Sequence, residues 1–189
     1  MYNRRHSIDS VYSSHNNSPR IAEPLSLSPI DYIGPQGPIG PIGPRGPIGI
    51  ISIANFYSLM PPDNNKKINI GEPIDFASDG PSNNNNISRL TSSLFNLTSI
   101  GLYEISFIVN INESAQLIIV LNDIELDYTV VGRTNVSSQI IGNCLISTTI
   151  ANSIISINNP ISNNKSITLT SYAGGNNAIS SQLIIKQYI

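Results

Sequence analysis

The stretch Gly101-Leu102-Tyr103-Glu104-Ile105-Ser106-Phe107-Ile108-Val109 alternates in polarity with a period of two. Successive side chains of an extended chain point to opposite faces, so Tyr103, Ile105, Phe107 and Val109 share one side and Leu102, Glu104, Ser106 and Ile108 the other. The first set is large and apolar and reads as a core face. A half-buried β-strand is therefore expected here, in a sheet whose second face is turned away from the core.

Reading outward, short β-type runs separated by turn residues fill the chain from residue 51 onward. They fall at 51–59, 68–70, 74–77, 94–97, 102–112, 116–121, 124–131, 139–149, 153–157, 166–172 and 179–188. No amphipathic helical pattern intervenes, and regular short strands of this kind imply a β-sandwich or jelly roll. Asn122-Asp123 sits between two β-branched runs as a two-residue hairpin turn, where both residues need positive φ and Asn and Asp tolerate it. Pro61-Pro62-Asp63-Asn64, Asp79-Gly80-Pro81, Asn158-Asn159-Pro160 and Gly174-Gly175-Asn176-Asn177 mark further breaks. The runs 117–120 and 183–185 are apolar on both faces, which suits strands covered by the second sheet on one side and by a neighbouring subunit on the other.

Upstream of these runs the period changes from two to three. Glycine stands at Gly34, Gly37, Gly40, Gly43, Gly46 and Gly49, and proline follows the first five of them. Every third residue of a collagen triple helix faces a crowded axis where only glycine fits, so the pattern over 34–51 calls for three copies of the chain. At about 3.1 Å per residue such a stalk is on the order of 50 Å long. Six triplets with no proline in the third position hold together weakly by themselves. The β-rich head over 52–189 is then expected to bring the three chains together as a homotrimer.

Residues 1–33 are rich in Ser, Asn, Arg and Pro and sustain neither period, so they read as disordered in isolation. An apolar cluster closes the segment: Ile21, Leu25, Leu27, Ile30, Tyr32 and Ile33, interrupted by Pro24 and Pro29, which favour an extended peptide. Two readings fit: a free leader, or a tether that docks on an anchoring partner by strand addition or in a groove. Arg4 and Arg5 are followed by polar residues, so no secretory signal is expected.

The net charge of −2 gives no electrostatic case for nucleic acid or an anionic membrane. No apolar run approaches the roughly 18 residues of a membrane span. Cys144 is the only cysteine and reads as a small apolar strand residue. The many Asn and Ile residues suggest a coding bias towards adenine and thymine, which makes the Asn-X-Ser/Thr sequons at Asn16, Asn86, Asn96, Asn112, Asn135 and Asn164 expected noise.

Little in the head points to catalysis. Both histidines, His6 and His15, lie in the leader, which excludes a Ser-His-Asp set in the head, and there is no Trp. Gly174-Gly175 lies in a hairpin rather than before a helix, so it is no phosphate loop. Paired acids for glycoside hydrolysis leave no spacing to read, but a head so poor in aromatics makes a poor carbohydrate enzyme. Asp123, Glu125 and Asp127 at period two would share a strand face and could offer oxygens to Ca²⁺, though a solvated face is the simpler reading. Asp63, Glu72, Asp75 and Asp79 form a second acidic region with the same two readings. Arg89 and Arg133, rare charges in an apolar head, are expected to anchor loops or a subunit interface. No cofactor or metal is expected.

Several motifs run in order through the head. They include Asn-Phe-Tyr-Ser-Leu at 55–59, Pro-Pro-Asp-Asn at 61–64, Pro-Ile-Asp-Phe at 73–76, Asp-Gly-Pro at 79–81 and Phe-Asn-Leu at 95–97. Gly-Leu-Tyr-Glu-Ile-Ser-Phe at 101–107, Tyr-Thr-Val-Val-Gly-Arg at 128–133, Ser-Gln-Ile-Ile-Gly at 138–142, Ala-Gly-Gly at 173–175 and Leu-Ile-Ile-Lys-Gln at 183–187 follow. Together they resemble the head domain of the Bacillus collagen-like exosporium glycoproteins, over about residues 55–189. The resemblance implies a jelly roll like the complement C1q and tumour necrosis factor heads, a tight trimer that nucleates the collagen stalk, and a place in filaments on the spore surface. The chain departs from that family in a stalk that is short and free of threonine, and in a leader without the usual exosporium-targeting motif. The anchor is thus left open between exosporium, spore appendage, another cell surface and a virion. The expected function is a structural, non-enzymatic surface fibre or filament tip. The alternative is an adhesion head that binds a host glycan or surface ligand, with Asn83–Asn86 and Gly174–Asn177 as candidate contact loops.

Overall fold

The computed structural model describes residues 34–40, 49–60, 67–83, 86–136, 138–170 and 179–188. The chain divides into two compact units, Met1–Pro44 and Arg45–Ile189. In the first, residues 34–40 are exposed and belong to no helix or strand. A β-carbon placed on Gly34, Gly37 or Gly40 would meet nothing within 4 Å in this single chain. Gly43 and Gly46 lie outside the described residues, as do Ile21, Leu25, Leu27, Ile30, Tyr32 and Ile33 of the apolar cluster.

The second unit is nearly all β. Its strands are β1 (Ile50–Leu59), β2 (Lys67–Ile68), β3 (Ser78–Ser82), β4 (Ile87–Arg89), β5 (Phe95–Leu97) and β6 (Gly101–Ile111). After them come β7 (Ala115–Leu121), β8 (Ile124–Glu125), β9 (Val131–Arg133), β10 (Ser138–Thr148), β11 (Ser153–Asn158), β12 (Ile167–Thr168) and β13 (Ile179–Tyr188). Gly49 directly precedes β1, and that strand takes in Ile50 and Ile51 of the last glycine triplet.

Two antiparallel sheets make a sandwich. One has five strands in the order β10-β6-β13-β1-β3; the other runs β4-β5-β11-β7-β8, with β9 also paired to β7. A short ladder joins β2 to β12. Connections that skip from β1 to β13 and from β6 to β10 within one sheet are the crossings of a jelly roll. The core fills the space between the sheets. The alternation at 101–109 is realised: Tyr103, Ile105 and Val109 are fully buried and Phe107 nearly so, while Leu102 stands exposed on the other side. Phe56 on β1 meets Phe95 on β5 at a ring-centroid distance of 4.5 Å, and Phe76 approaches Phe95 edge-on at 5.9 Å.

Turn chemistry explains part of this architecture. Asn122 and Asp123 have φ of 49° and 66°, as the hairpin between β7 and β8 requires. The expected strand over 124–131 breaks into β8, a 3-10 turn at Asp127–Thr129, and β9. Thr129 causes the break: its buried hydroxyl donates to the carbonyl of Leu126 at 2.8 Å and accepts the Ile119 N–H at 2.9 Å. A continued strand would leave that hydroxyl and that N–H without each other.

Four other expectations change. Residues 74–77 are buried at Ile74 and Phe76 but form no strand, because their N–H groups are shared out: Ile74 donates to Ile157 and Phe76 to Ser92. The strand lies instead at β3, across Asp79-Gly80-Pro81, the run expected to be a break. As an edge strand it tolerates a proline that lacks a ladder donor. The runs at 68–70 and 166–172 contract to the two-residue strands β2 and β12 among the described residues, and β4 was not anticipated. Leu117, Ile118, Ile119 and Val120 are all buried within the single chain, so β7 needs no neighbouring subunit to cover its second face. The turns expected at 61–64 and 174–177 lie outside the described residues.

Candidate functional site

The outer face of the five-stranded sheet presents apolar side chains to the exterior. Strand register places side chains on it in rows. Ser147, Leu102 and Tyr188 form one; Leu145, Glu104, Lys186 and Ile53 the next. Asn143, Ser106, Ile184 and Asn55 follow, then Ile141, Ile108, Gln182 and Tyr57. Leu102, Leu145 and Ile141 are 40%, 53% and 62% exposed, and Ile53, Tyr57, Ile108 and Ile184 are half-buried. Strand β6 pairs with β10 and with β13 without a register shift, so these rows run unbroken across the three strands.

A polar cluster is set into this apolar surface. The Glu104 carboxylate accepts from Lys186 Nζ at 3.3 Å, from the Tyr188 hydroxyl and, at 3.4 Å, from the Ser106 hydroxyl. The Tyr188 hydrogen bond first, and after it Lys186 and Asn143, hold the Glu104 carboxyl below its ordinary value of 4.5 against the opposing effect of burial. The same contact with Glu104 pushes the Tyr188 phenol up. Because the folded value lies below 4.5, the anion stabilises the fold fully above that pH, and the contribution is lost as pH falls through the folded value. Glu104→Gln is therefore expected to lower the melting temperature by a few degrees at neutral pH. In a pH series of thermal melts, the gap from the parent closes below about pH 4.5.

Arg89, Arg133, Asp79, Asp75 and Glu72, also singled out in the sequence, have structural partners. Arg89 makes a two-pronged ion pair with Asp79, Nε to Oδ1 and Nη2 to Oδ2, both at 2.8 Å, and Nη1 donates to the Ala77 carbonyl. This hydrogen bond from Arg89 holds the Asp79 carboxyl below its ordinary range. Arg133 donates to the carbonyls of Ile111 and Glu113, which ties β9 to the end of β6. Both arginines thus anchor loops within one chain. Asp75 accepts from the Ser92 hydroxyl, and Glu72 from the Asn69 N–H. Asp63 lies outside the described residues.

Asp123, Glu125 and Asp127 do not share one strand face. Asp123 sits in the turn, Glu125 ends β8 and accepts the Ile161 N–H at 2.8 Å, and Asp127 opens the 3-10 turn. Among the described residues no group of three or more His, Cys, Asp or Glu is placed to hold a metal, and no helix is long and apolar enough to cross a membrane. Cys144 on β10 packs partly buried against the core, and burial pushes its thiol pKa up, which disfavours the reactive thiolate.

No protein-family model and no curated protein matches the sequence. Solved structures do. The head is similar to murine APRIL crystallised at pH 8.5, with a TM-score of 0.50, 8% identity, and coverage of 72% of this chain and 98% of that one. The globular domain of the zebrafish complement 1qA protein aligns with a TM-score of 0.48 and 9% identity over 71% of this chain and 94% of that one. Sheet order, crossings and the likeness to the murine structure agree: the folded unit of this chain is an all-β, C1q/tumour-necrosis-factor-like jelly-roll sandwich.

Proposed function

We propose that the protein is a structural, non-enzymatic subunit of a surface fibre: a homotrimer in which an N-terminal tether, a short collagen-like stalk and a jelly-roll head follow one another. The observation that carries this reading is the apolar outer face of the five-stranded sheet, with Leu102, Leu145 and Ile141 left exposed in a single chain. A second and third copy of the chain are the occupants the sequence itself requires, because a glycine-every-third-residue stalk has no stable form with fewer chains. Covering one such side chain fully contributes on the order of 1.5–3 kcal/mol. Several per subunit are then enough to offset an association cost of roughly 4–15 kcal/mol. The resemblance to collagen-like exosporium glycoproteins supports a place on a spore exosporium, a spore appendage or a similar surface filament. Residues 1–33 are the segment that anchors it.

Sedimentation of the full chain tests the assembly. A species near 61 kDa is expected, three times the 20.4 kDa chain. The variant Ile141→Glu/Leu145→Glu should sediment as a monomer with an unchanged far-ultraviolet circular dichroism spectrum. A parent protein that is monomeric at micromolar concentration would sink the proposal. For the anchor, a chain lacking residues 1–33 should remain trimeric yet fail to appear on the surface filaments.

A further inference from the structure

The four long strands of the five-stranded sheet, β1, β6, β10 and β13, carry just two charged residues, Glu104 and Lys186. These two stand directly opposite each other in the ladder between β6 and β13 and form an ion pair at 3.3 Å. Both lie on the outer face, in a row between Leu145 on β10 and Ile53 on β1. Asp79, on the edge strand β3, pairs with Phe56 and so belongs to the opposite face. The titratable groups that face Glu104 are therefore Lys186 and Tyr188 of β13 and the Cys144 thiol of β10, which is neutral in acid. The rest of β10 and all of β1 offer it only uncharged side chains.

Covering this face changes how the pair behaves. In the single chain the Lys186 and Glu104 side chains are 28% and 16% exposed, so water still reaches both. Leu102, Leu145, Tyr188 and Glu104 itself line a recess of about 540 Å³, so a copy of the chain that covers the leucines covers the pair as well. An identical face brings no lone charge of its own, and the pair is then enclosed among neutral groups. An enclosed pair is tolerated while both members are charged, but removing one charge leaves the other uncompensated and is strongly destabilising. Protonation of Glu104 removes one. The Tyr188 hydrogen bond holds the Glu104 carboxyl below its ordinary value, so the stabilisation from the anion is complete above that value and is lost as pH falls through the folded one. Lys186 stays cationic throughout the acid range.

We infer that the Glu104–Lys186 pair makes assembly through this face acid-sensitive. The covered face holds together while Glu104 is ionised, and it comes apart when Glu104 takes up a proton and leaves the Lys186 ammonium enclosed without a counter-charge. This rests on the reading of the face as the contact between three copies, and it adds the condition under which that contact is released. A purely apolar face would hold equally well on both sides of the carboxylate range.

The test is sedimentation of the full-length protein at neutral pH and at about pH 3, below the ordinary carboxylate range. The parent is compared with Glu104→Gln, Lys186→Met and the double variant, and circular dichroism of each sample shows whether the heads stay folded. The parent should be trimeric at neutral pH and fall to monomers in acid with its spectrum kept. Glu104→Gln, which mimics the protonated acid, should raise the concentration of half-dissociation by about a hundredfold or more already at neutral pH. Lys186→Met leaves the anion alone instead, so its response should be reversed: weak assembly at neutral pH and recovery in acid. The double variant, with no charge on the face, should assemble equally at both. A parent that is monomeric at neutral pH overturns the trimer reading and this inference with it. Three results overturn the inference alone: a parent trimeric at both pH values, a double variant that dissociates in acid alongside the parent, or a Lys186→Met variant with the parent's acid response. Should the parent head unfold in acid, the neutral-pH comparison decides. A Glu104→Gln trimer weakened and then restored by Lys186→Met supports the inference, and one as tight as the parent overturns it.

Discussion

Phe95→Ala lowers the unfolding free energy by about 3–5 kcal/mol, the range for removing a fully buried aromatic side chain. Phe95 comes from β5 in one sheet and is fully buried, and its ring touches Phe56 from β1 in the other sheet and Phe76 from the segment between them. It therefore joins three separate parts of the chain. Truncation removes its own burial and also the partners that hold Phe56 and Phe76 in place, and the tilted and edge-on ring contacts are lost as well. Domains of this size have only about 5–15 kcal/mol of stability in all, so the variant should be near the threshold of folding at growth temperature. Urea denaturation at fixed protein concentration measures the effect, with an unchanged slope showing that the cooperative unit is intact. A loss below about 1 kcal/mol would mean that the two sheets do not depend on this contact.

Gly142→Ala is the second large effect, and it acts through crowding rather than through a void. Gly142 is buried on β10 directly opposite Phe107 of β6, and the Phe107 ring lies across it. A β-carbon there would stand 2.3 Å from Cζ, 2.4 Å from Cε1 and 2.8 Å from Cε2 of that ring. Phe107 is only 1% exposed, so the ring has little room to retreat. Forcing a methyl into a packed core costs about 1–3 kcal/mol and sometimes more. The cause is separable by a double-mutant cycle: in a Phe107→Ala background the added methyl should cost almost nothing, giving a coupling energy of the same size as the single-variant loss. Additive effects would place the strain in the β10 backbone instead.

The sequence carried the strands whose apolar residues alternate or run continuously, and it carried the Asn122-Asp123 turn, because both signals are local. It misplaced the segment from Pro73 to Ser82. Ile74 and Phe76 are as buried as strand residues, but their backbone partners lie on Ile157 and Ser92, more than a dozen residues away, and nothing local records that. The proline and glycine that signal a break inside a sheet are compatible with an edge, and the edge position of β3 is a property of the whole topology. The candidate sites were less legible than the fold. The period-two spacing of Asp123, Glu125 and Asp127 pointed to one face, but Asp123 belongs to the turn before β8 and the 3-10 turn that opens at Asp127 ends the strand after Glu125. The polar cluster around Glu104 needs β6, β10 and β13 side by side before Asn143, Glu104, Lys186 and Tyr188 become neighbours.

Strand β13 lies between β6 and β1 in the five-stranded sheet, so β1, with β3 on its other side, is joined to β6 and β10 through the last strand of the order. During synthesis β1 has no place to dock on that side until Ile179–Tyr188 has left the ribosome. At 5–20 residues per second that is on the order of ten seconds after β1 itself emerges. Throughout that interval the glycine triplets ahead of β1 belong to a head that is not yet closed. In the proposed trimer, winding would then wait for β13 to close the head and proceed from the head towards the N-terminus, and the choice of partners would fall to closed heads rather than to half-made ones.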